Sequence, residues 1–113
     1  LCTGPLIALC DQDDWWLPEK LERMEAAMGA HALIHCNSVL CQEALQPLGV
    51  LASDRAVFKP IYNCLEQAVF CRIYGHASLI KRSLLEAAMP FLPYLPHDWW
   101  LCFMACFGGG IAY

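Results

Sequence analysis

The fold of this chain is best predicted from one stretch near its start, Ala8-Leu9-Cys10-Asp11-Gln12-Asp13-Asp14-Trp15-Trp16-Leu17-Pro18-Glu19-Lys20-Leu21-Glu22. The apolar run that leads into it, from Leu6 to Cys10, is typical of a buried strand of the parallel type. Three carboxylates in four residues follow, and Pro18 then favours the first turn of a helix that should end at Gly29. This order of strand, acidic turn and helix is typical of α/β domains, which bind ligands at the carboxyl ends of strands.

Strand-like and helix-like segments alternate through the rest of the chain. We predict strands within 31–41 and at 75–80, helices at 60–72, 82–89 and 97–107, and a further strand after the three glycines at 108–110. Residues 42–59 show no clear period, and we expect a loop there. The prediction is one α/β domain over 1–113, with a mixed, mainly parallel sheet flanked by helices.

Composition narrows the classes of function. At 113 residues the chain is at most one domain, and 58% apolar against 16% charged residues indicates a large buried core or a partner that covers its faces. The net charge of −4 argues against a nucleic-acid partner. No signal peptide and no apolar run of transmembrane length are visible. Both ends look cut rather than finished.

The eight cysteines predict free thiols rather than disulfides or a zinc site. They contain no C-x-x-C pair, and nearly all stand among apolar residues. Cys102 and Cys106 lie one helical turn apart on a predicted core face. We therefore expect reduced, buried cysteines that behave as small apolar side chains, as in a cytosolic protein.

The acidic turn, which spans Asp11 to Asp14, is a candidate metal site. Carboxylates this close repel one another by about 1 kcal/mol per pair even in water, and a cation would remove that cost. Asp11 and Asp13 would point to the same side of an extended chain and could reach one Mg²⁺ or Mn²⁺ ion. The alternative is an acidic cap for the helix at Pro18.

A second candidate site centres on Asp98, which stands among aromatic residues in Leu95-Pro96-His97-Asp98-Trp99-Trp100-Leu101. Reduced solvation in such surroundings would make this carboxylate usable as a general base. Tryptophan faces also stack well on sugar rings. The alternative is again a helix cap, with Trp99 and Trp100 in the core.

The histidines are weaker candidates. His31 and His35 are four residues apart, but their segment is a predicted strand, which argues against a shared metal. His76 follows Gly75 at a predicted strand start, where it could either line a cleft or be purely structural.

Three segments resemble motifs of the family 2 glycosyltransferases, especially the bacterial rhamnosyltransferase-like group. The stretch from Ala8 to Leu21 resembles D-Q-D-D-x-W-x-P-x-K-L, residues 75–85 resemble a later G-x-x-x-x-x-x-R-x-L-L motif, and residues 96–101 resemble an H-D-W-W block. The three segments follow the family's order and span nearly the whole chain.

The resemblance implies a GT-A fold, a nucleotide-sugar donor and an inverting transfer that depends on Mg²⁺ or Mn²⁺. Asp13 would bind the metal that bridges the donor diphosphate, with Asp11 near the ribose or the metal and Gln12 also on the donor side. Asp98 would be the base that deprotonates the acceptor hydroxyl. Acceptor contacts would come from Gly75, His76, His97, Trp99 and Trp100.

The resemblance also implies partners and a location. The acceptor would be a glycan or a lipid-linked sugar, in the synthesis of a bacterial polysaccharide or cell-envelope glycan. The protein would be cytoplasmic, or held peripherally at the inner face of the cell membrane by segments outside this chain.

Only ten residues precede Asp11, where the family places its base-binding strands. The resemblance therefore covers the metal-binding region, 8–29, and the acceptor-side region, 75–107, of an enzyme that is incomplete at both ends, and we expect the chain alone to lack full donor binding and activity. Two other functions stay open. One is a non-catalytic carbohydrate- or partner-binding α/β module, and the other is a hydrolase that uses the same acids and metal on a diphosphate.

Overall fold

A computed structural model describes residues 2–113 and contains a four-stranded sheet with helices on both faces, as expected for an α/β domain. The strands of this sheet are β1 (Leu6–Ala8), β2 (Leu33–His35), β5 (Ser78–Lys81) and β6 (Ile111–Ala112), and β3 (Val39–Cys41) pairs with β4 (Pro47–Leu51) in a separate hairpin. The α-helices are α1 (Lys20–Met28), α2 (Cys64–Val69), α3 (Arg82–Ala88) and α4 (His97–Ala105). Short 3₁₀ turns occupy Glu43–Leu45, Ala52–Asp54 and Gly75–Ala77.

The strand order in the main sheet is β1-β5-β2-β6, and the prediction of a mainly parallel sheet is wrong. β5 is antiparallel to both β1 and β2, and only β2 and β6 pair in parallel. β1, β2 and β6 do run in one direction, but β5 enters between β1 and β2 in the opposite one. An apolar run predicts that a strand is buried, but it carries no information on the direction of the strand.

Successive residues of the central strands face opposite layers of core, as the two-residue period of a strand requires. On one face, Ile34 and Leu79 pack with Met24 and Met28 of α1. On the other face lies a larger cluster that includes Leu33, Ile80, Leu84, Leu101 and Ile111, and to which α3 and α4 contribute. The sheet is thus the middle layer of three.

Residues 42–59 are not the loop that we expected, since β4 forms the second strand of a hairpin there. Most side chains of the hairpin are exposed, so its sequence shows no apolar alternation from which a strand could be predicted. Asn37 holds the base of the hairpin. Its amide oxygen accepts from the backbone N–H groups of Ser38 at 2.9 Å and Ser53 at 3.1 Å.

The helix predicted for 60–72 is shorter than expected, because α2 begins at Cys64. Asn63 caps it by accepting a hydrogen bond of 3.0 Å from the backbone N–H of Leu65. Just before the cap, Ile61 is extended and exchanges two backbone hydrogen bonds with Ile111, at 2.9 and 2.8 Å. Pairing with β6 therefore takes the residues around Pro60 out of the helix.

All eight cysteines are free, as predicted. Cys102 is buried, but Cys2, Cys10 and Cys41 are exposed, so the expectation of burial is wrong for these three. No helix within residues 2–113 combines the length and the apolar character that crossing a bilayer requires.

Candidate functional site

One edge of the main sheet brings the sequence motifs together. Because β5 is antiparallel to its neighbours, its first residue, Ser78, lies beside the last residues of both β1 and β2. Beyond the strands, Leu9 donates a backbone hydrogen bond to Ser78 at 3.3 Å, and Cys36 donates one to Ala77 at 3.0 Å. The segments 9–14, 36–38 and 74–77 are therefore neighbours at this edge.

Two carboxylates and one imidazole form a compact group at this edge. The backbone N–H of Asp14 bonds to the carbonyl of Asp11 at 3.4 Å, which closes a turn. This turn brings one carboxylate oxygen of each residue to 3.6 Å from Nδ1 of His76. One ligand atom from each of the three side chains lies within 4.8 Å of the others.

This group has a donor set that suits a divalent cation. Carboxylates suit Mg²⁺ or Mn²⁺, and the imidazole favours Mn²⁺ of the two. Ligand atoms around an octahedral ion with bonds of about 2.1 Å are about 3–4 Å apart, so the spacing here needs only a small contraction. The Asp11 side chain is 64% exposed and that of Asp14 is 30% exposed, which leaves access for a substrate.

His76 is oriented from several sides. Its Nε2 lies 3.4 Å from the hydroxyl of Ser38, and its ring stacks on Tyr74 with centroids 5.7 Å apart. Its backbone carbonyl accepts a hydrogen bond of 2.8 Å from Nζ of Lys20. Metal-binding histidines commonly bond through the far ring nitrogen to a fixed partner, such as a carboxylate or a backbone carbonyl, while the near nitrogen faces the metal. Here the Ser38 hydroxyl occupies the position of that partner.

Lys20 lies behind the acidic turn and belongs to the first motif. Its Nζ is 3.9 Å from the centre of the Trp16 ring, a cation–π contact. Burial lowers the pKa of Lys20, while the nearby Cys36 and Asp14 oppose this shift. Neither Lys20 nor Ser38 was among the predicted site residues. The motif contains Lys20, but no sequence signal indicates Ser38.

Gly75, in the 3₁₀ turn before β5, packs against the start of α4. A Cβ at this position would lie 3.2 Å from Nε2 of His97, 3.7 Å from Cδ1 of Leu9 and 3.8 Å from Cβ of Asp98. The lack of a side chain therefore lets the second motif pack closely against the third.

Asp98 lies in the first turn of α4 and is half-buried. One of its oxygens accepts from the backbone N–H of Trp99 at 2.9 Å, and the other has no hydrogen-bond partner within residues 2–113. The two tryptophans differ. Trp99 is exposed, whereas Trp100 donates a bond of 2.7 Å from Nε1 to the carbonyl of Ala88 and stacks on Phe103. These contacts make Trp100 a packing residue, and its acceptor role stays a prediction.

The predicted metal ligand Asp13 lies outside the grouped side chains. It and Gln12 are exposed on the same turn, and Asp14 is the second carboxylate that approaches His76. The roles of Asp13 and Gln12 stay predictions.

The other two histidines lie apart from the site. His31 bonds through its ring nitrogens to the Met28 carbonyl at 3.0 Å and the Tyr62 hydroxyl at 2.9 Å. His35 is buried between the rings of Phe58 and Tyr113.

Comparisons of the chain with models of protein families, with curated proteins and with solved structures find no match. A function for the chain therefore rests on its own motifs and geometry.

Proposed function

We propose that the chain is part of an inverting, metal-dependent glycosyltransferase that moves a sugar from a nucleotide-sugar donor to an acceptor hydroxyl. One observation carries the proposal: three motifs that are far apart in the sequence adjoin each other. His76 faces Asp11 and Asp14, and the adjacent Gly75 packs against His97 and Asp98. A donor site and an acceptor site must adjoin in this way. Assignment of the α/β domain to the GT-A fold is part of the same proposal.

The donor side of the proposed site is the acidic turn. Asp11, Asp14 and His76 would hold Mg²⁺ or Mn²⁺, and a bound ion would stabilise the charge of the diphosphate leaving group. Asp13 and Gln12, exposed on the turn, would face the donor as the family motif implies.

The acceptor side is the start of α4. An inverting transfer needs a base on the opposite side of the anomeric carbon from the leaving group. We assign this role to Asp98, since Gly75 packs against it while the adjacent His76 faces the acidic turn, and its free oxygen could accept the proton of an acceptor hydroxyl. His97 and Trp99, on either side of Asp98 in sequence, would contact the acceptor.

Titration with Mn²⁺, followed by the electron paramagnetic resonance signal of the free ion, tests the donor side. Asp14→Asn and His76→Gln should each lower the affinity for Mn²⁺ by about tenfold or more. Asp54→Asn is a matched control, since Asp54 bonds to the backbone of Leu51 near the hairpin. Unchanged affinity in Asp14→Asn and His76→Gln would refute the metal site.

Turnover tests the acceptor side and separates the alternatives. In the longer enzyme of which the chain is proposed to be a part, with a panel of nucleotide sugars and saccharide acceptors, Asp98→Asn should lower the release of nucleoside diphosphate by about 10²–10⁴-fold, with Mn²⁺ affinity unchanged. Glu86→Gln, on the exposed side of α3, is the control. Saccharide binding without a metal requirement or turnover would indicate a binding module, and donor cleavage that ignores the acceptor would indicate a hydrolase.

A further inference from the structure

An open groove of about 350 Å³ lies beside Asp98, on the acceptor side of the proposed site. Segments far apart in sequence form its walls, which include Arg55, Cys71, Arg72, Tyr74, Asp98 and Trp99. The volume suits a ligand the size of a sugar residue with a small substituent.

Two arginines and the carboxylate of Asp98 are the charged side chains that line this groove. The chain has a net charge of −4 and only seven Lys and Arg residues, and two of those seven line this groove. Within residues 2–113, neither Arg55 nor Arg72 has a carboxylate partner within 4.0 Å, whereas Lys59 pairs with Glu66 at 3.3 Å. Neither guanidinium group is therefore neutralised by a carboxylate, although that of Arg72 lies over the ring of Phe70, 6.0 Å from its centre.

A second groove, of about 400 Å³ beside β1, gives a useful contrast. It also has two cations, and both already donate to backbone carbonyl groups: Arg82 to those of Gly4 and Cys2 at 2.8 Å, and Lys81 to that of Gly29 at 3.1 Å. Both cations of that groove therefore stabilise the fold, whereas Arg55 and Arg72 have no such hydrogen bonds from their side chains within the described residues.

Aromatic side chains complete the groove beside Asp98. Trp99 and Tyr74 are partly exposed, and such rings offer faces on which a sugar can stack. Tyr74 also stacks on His76, which faces the acidic turn. One residue thus connects the groove with the proposed donor side.

We infer that this groove binds an acceptor sugar that carries an anionic group, a phosphate or a carboxylate, at Arg55 and Arg72. The planar fork of a guanidinium matches both anions in a bidentate geometry. The sugar ring lies against Trp99 and Tyr74, with a hydroxyl directed to Asp98. The catalytic part of this inference rests on the proposed function, but binding of the anionic sugar does not.

Binding to the 113-residue chain, measured by calorimetry, tests the inference with three probes. Glucose 1-phosphate carries a phosphate, glucuronate carries a carboxylate, and glucose is the neutral match. We expect at least one anionic probe to bind about tenfold or more tightly than glucose, and the better of the two identifies the anion. Equal affinity for all three probes would overturn the inference.

Variants locate the binding. Arg55→Gln and Arg72→Gln should each lower the affinity for the anionic probe by about tenfold and leave the affinity for glucose unchanged. Trp99→Ala should lower the affinity for every probe. Arg55→Lys, which keeps the charge, should retain part of the affinity and guards against misfolding. Arg23→Gln, an exposed arginine of α1, is the control. Equal losses in Arg23→Gln and Arg55→Gln would also overturn the inference.

The two proposals can fail separately. Tight, arginine-dependent binding of an anionic sugar, without transfer to any acceptor by the longer enzyme, would leave the groove in place and refute the glycosyltransferase. If transfer to neutral acceptors is insensitive to Arg55→Gln and Arg72→Gln, the glycosyltransferase stands and the anion-binding groove is refuted.

Discussion

The ammonium group of Lys20 donates a hydrogen bond of 2.8 Å to the carbonyl oxygen of His76 and so ties the start of α1 to the 3₁₀ turn before β5. The two residues are 56 positions apart in the sequence. The bond holds the backbone of His76 while its ring faces the acidic turn. Lys20 thus supports the proposed metal site without being one of its ligands.

Lys20→Met should destabilise the protein. The change removes a charged hydrogen bond and a cation–π contact, and we expect the free energy of unfolding to fall by about 1–3 kcal/mol in urea denaturation. Lys59→Met is the control, because Lys59 makes only an exposed ion pair with Glu66, and it should cost less than about 1 kcal/mol. Equal losses of unfolding free energy in Lys20→Met and Lys59→Met would contradict the proposed anchoring role of Lys20.

His35 should make the protein acid-sensitive. Burial lowers the pKa of His35 from 6.5 to about 4. Between pH 6.5 and pH 4, His35 is therefore protonated in the unfolded chain but neutral in the folded protein. Stability is retained above pH 6.5 and should fall by about 3 kcal/mol as the pH drops to 4. His35→Phe, which fits among the rings of Phe58 and Tyr113, should lose this part of the pH dependence.

Denaturation midpoints measured from pH 7.5 to pH 4 check this expectation. His31→Gln serves as the control, and although it loses two hydrogen bonds, it should keep the slope of the wild type. The same slope in His35→Phe and in the wild type would show that other groups cause the acid sensitivity.

Cys71 should be more reactive than Cys102 and Cys106, the two cysteines of α4 and its C-terminal cap. A hydrogen bond from Cys102 lowers the pKa of Cys71, and the same bond, together with burial, raises the pKa of Cys102. Burial also raises the pKa of Cys106 to about 11. Since the thiolate is the nucleophile, iodoacetamide should modify Cys71 before the other two.

Mass spectrometry of alkylated peptides over time measures these rates. In Cys102→Ala the pKa of Cys71 should rise, and its rate at neutral pH should fall by about tenfold for each unit of pKa. Cys64→Ala is the control and should leave the rate unchanged. A Cys71 that reacts equally fast without Cys102 would disprove the effect of the hydrogen bond.

Gly110→Ala should be strongly destabilising. Gly110 has φ +83°, and an added Cβ would overlap the Tyr62 ring and lie 2.8 Å from the Ile61 carbonyl oxygen. Backbone strain and overlap together should cost about 2–4 kcal/mol. Gly49→Ala separates the two causes, since Gly49 has φ +70° but open space around it, and it should cost about 1–2 kcal/mol. If Gly110→Ala and Gly49→Ala lower the free energy of unfolding equally in chemical denaturation, the overlap does not contribute to the loss.

The sequence predicted the presence of most elements, but it could not predict the direction of β5. The segment 75–80 resembles a strand, but the reversal of β5 between β1 and β2 depends on contacts across the whole chain. This reversal matters for the site. In a fully parallel sheet the start of β5, and with it His76, would lie at the opposite edge from Asp11.

The acidic turn shows the same limit on a local scale. Asp11 and Asp13 were paired on the assumption of an extended chain, in which alternate residues share a side. The backbone instead turns at Asp11, and in a turn it is the first and fourth residues that approach each other. Asp14, rather than Asp13, therefore lies beside Asp11 and His76. No spacing rule could have selected Arg55, since it follows a hairpin that the sequence did not reveal.

The central position of β5 also has a consequence for biogenesis. β1 and β2 do not pair with each other, and each finds a hydrogen-bonded partner in β5. β1 and β2 can therefore pair with β5 only after the ribosome has made residues 78–81. Until then, both strands lack this partner. Such late, long-range closure slows folding and exposes unpaired strand edges to association, a period in which a nascent-chain chaperone would have most to protect.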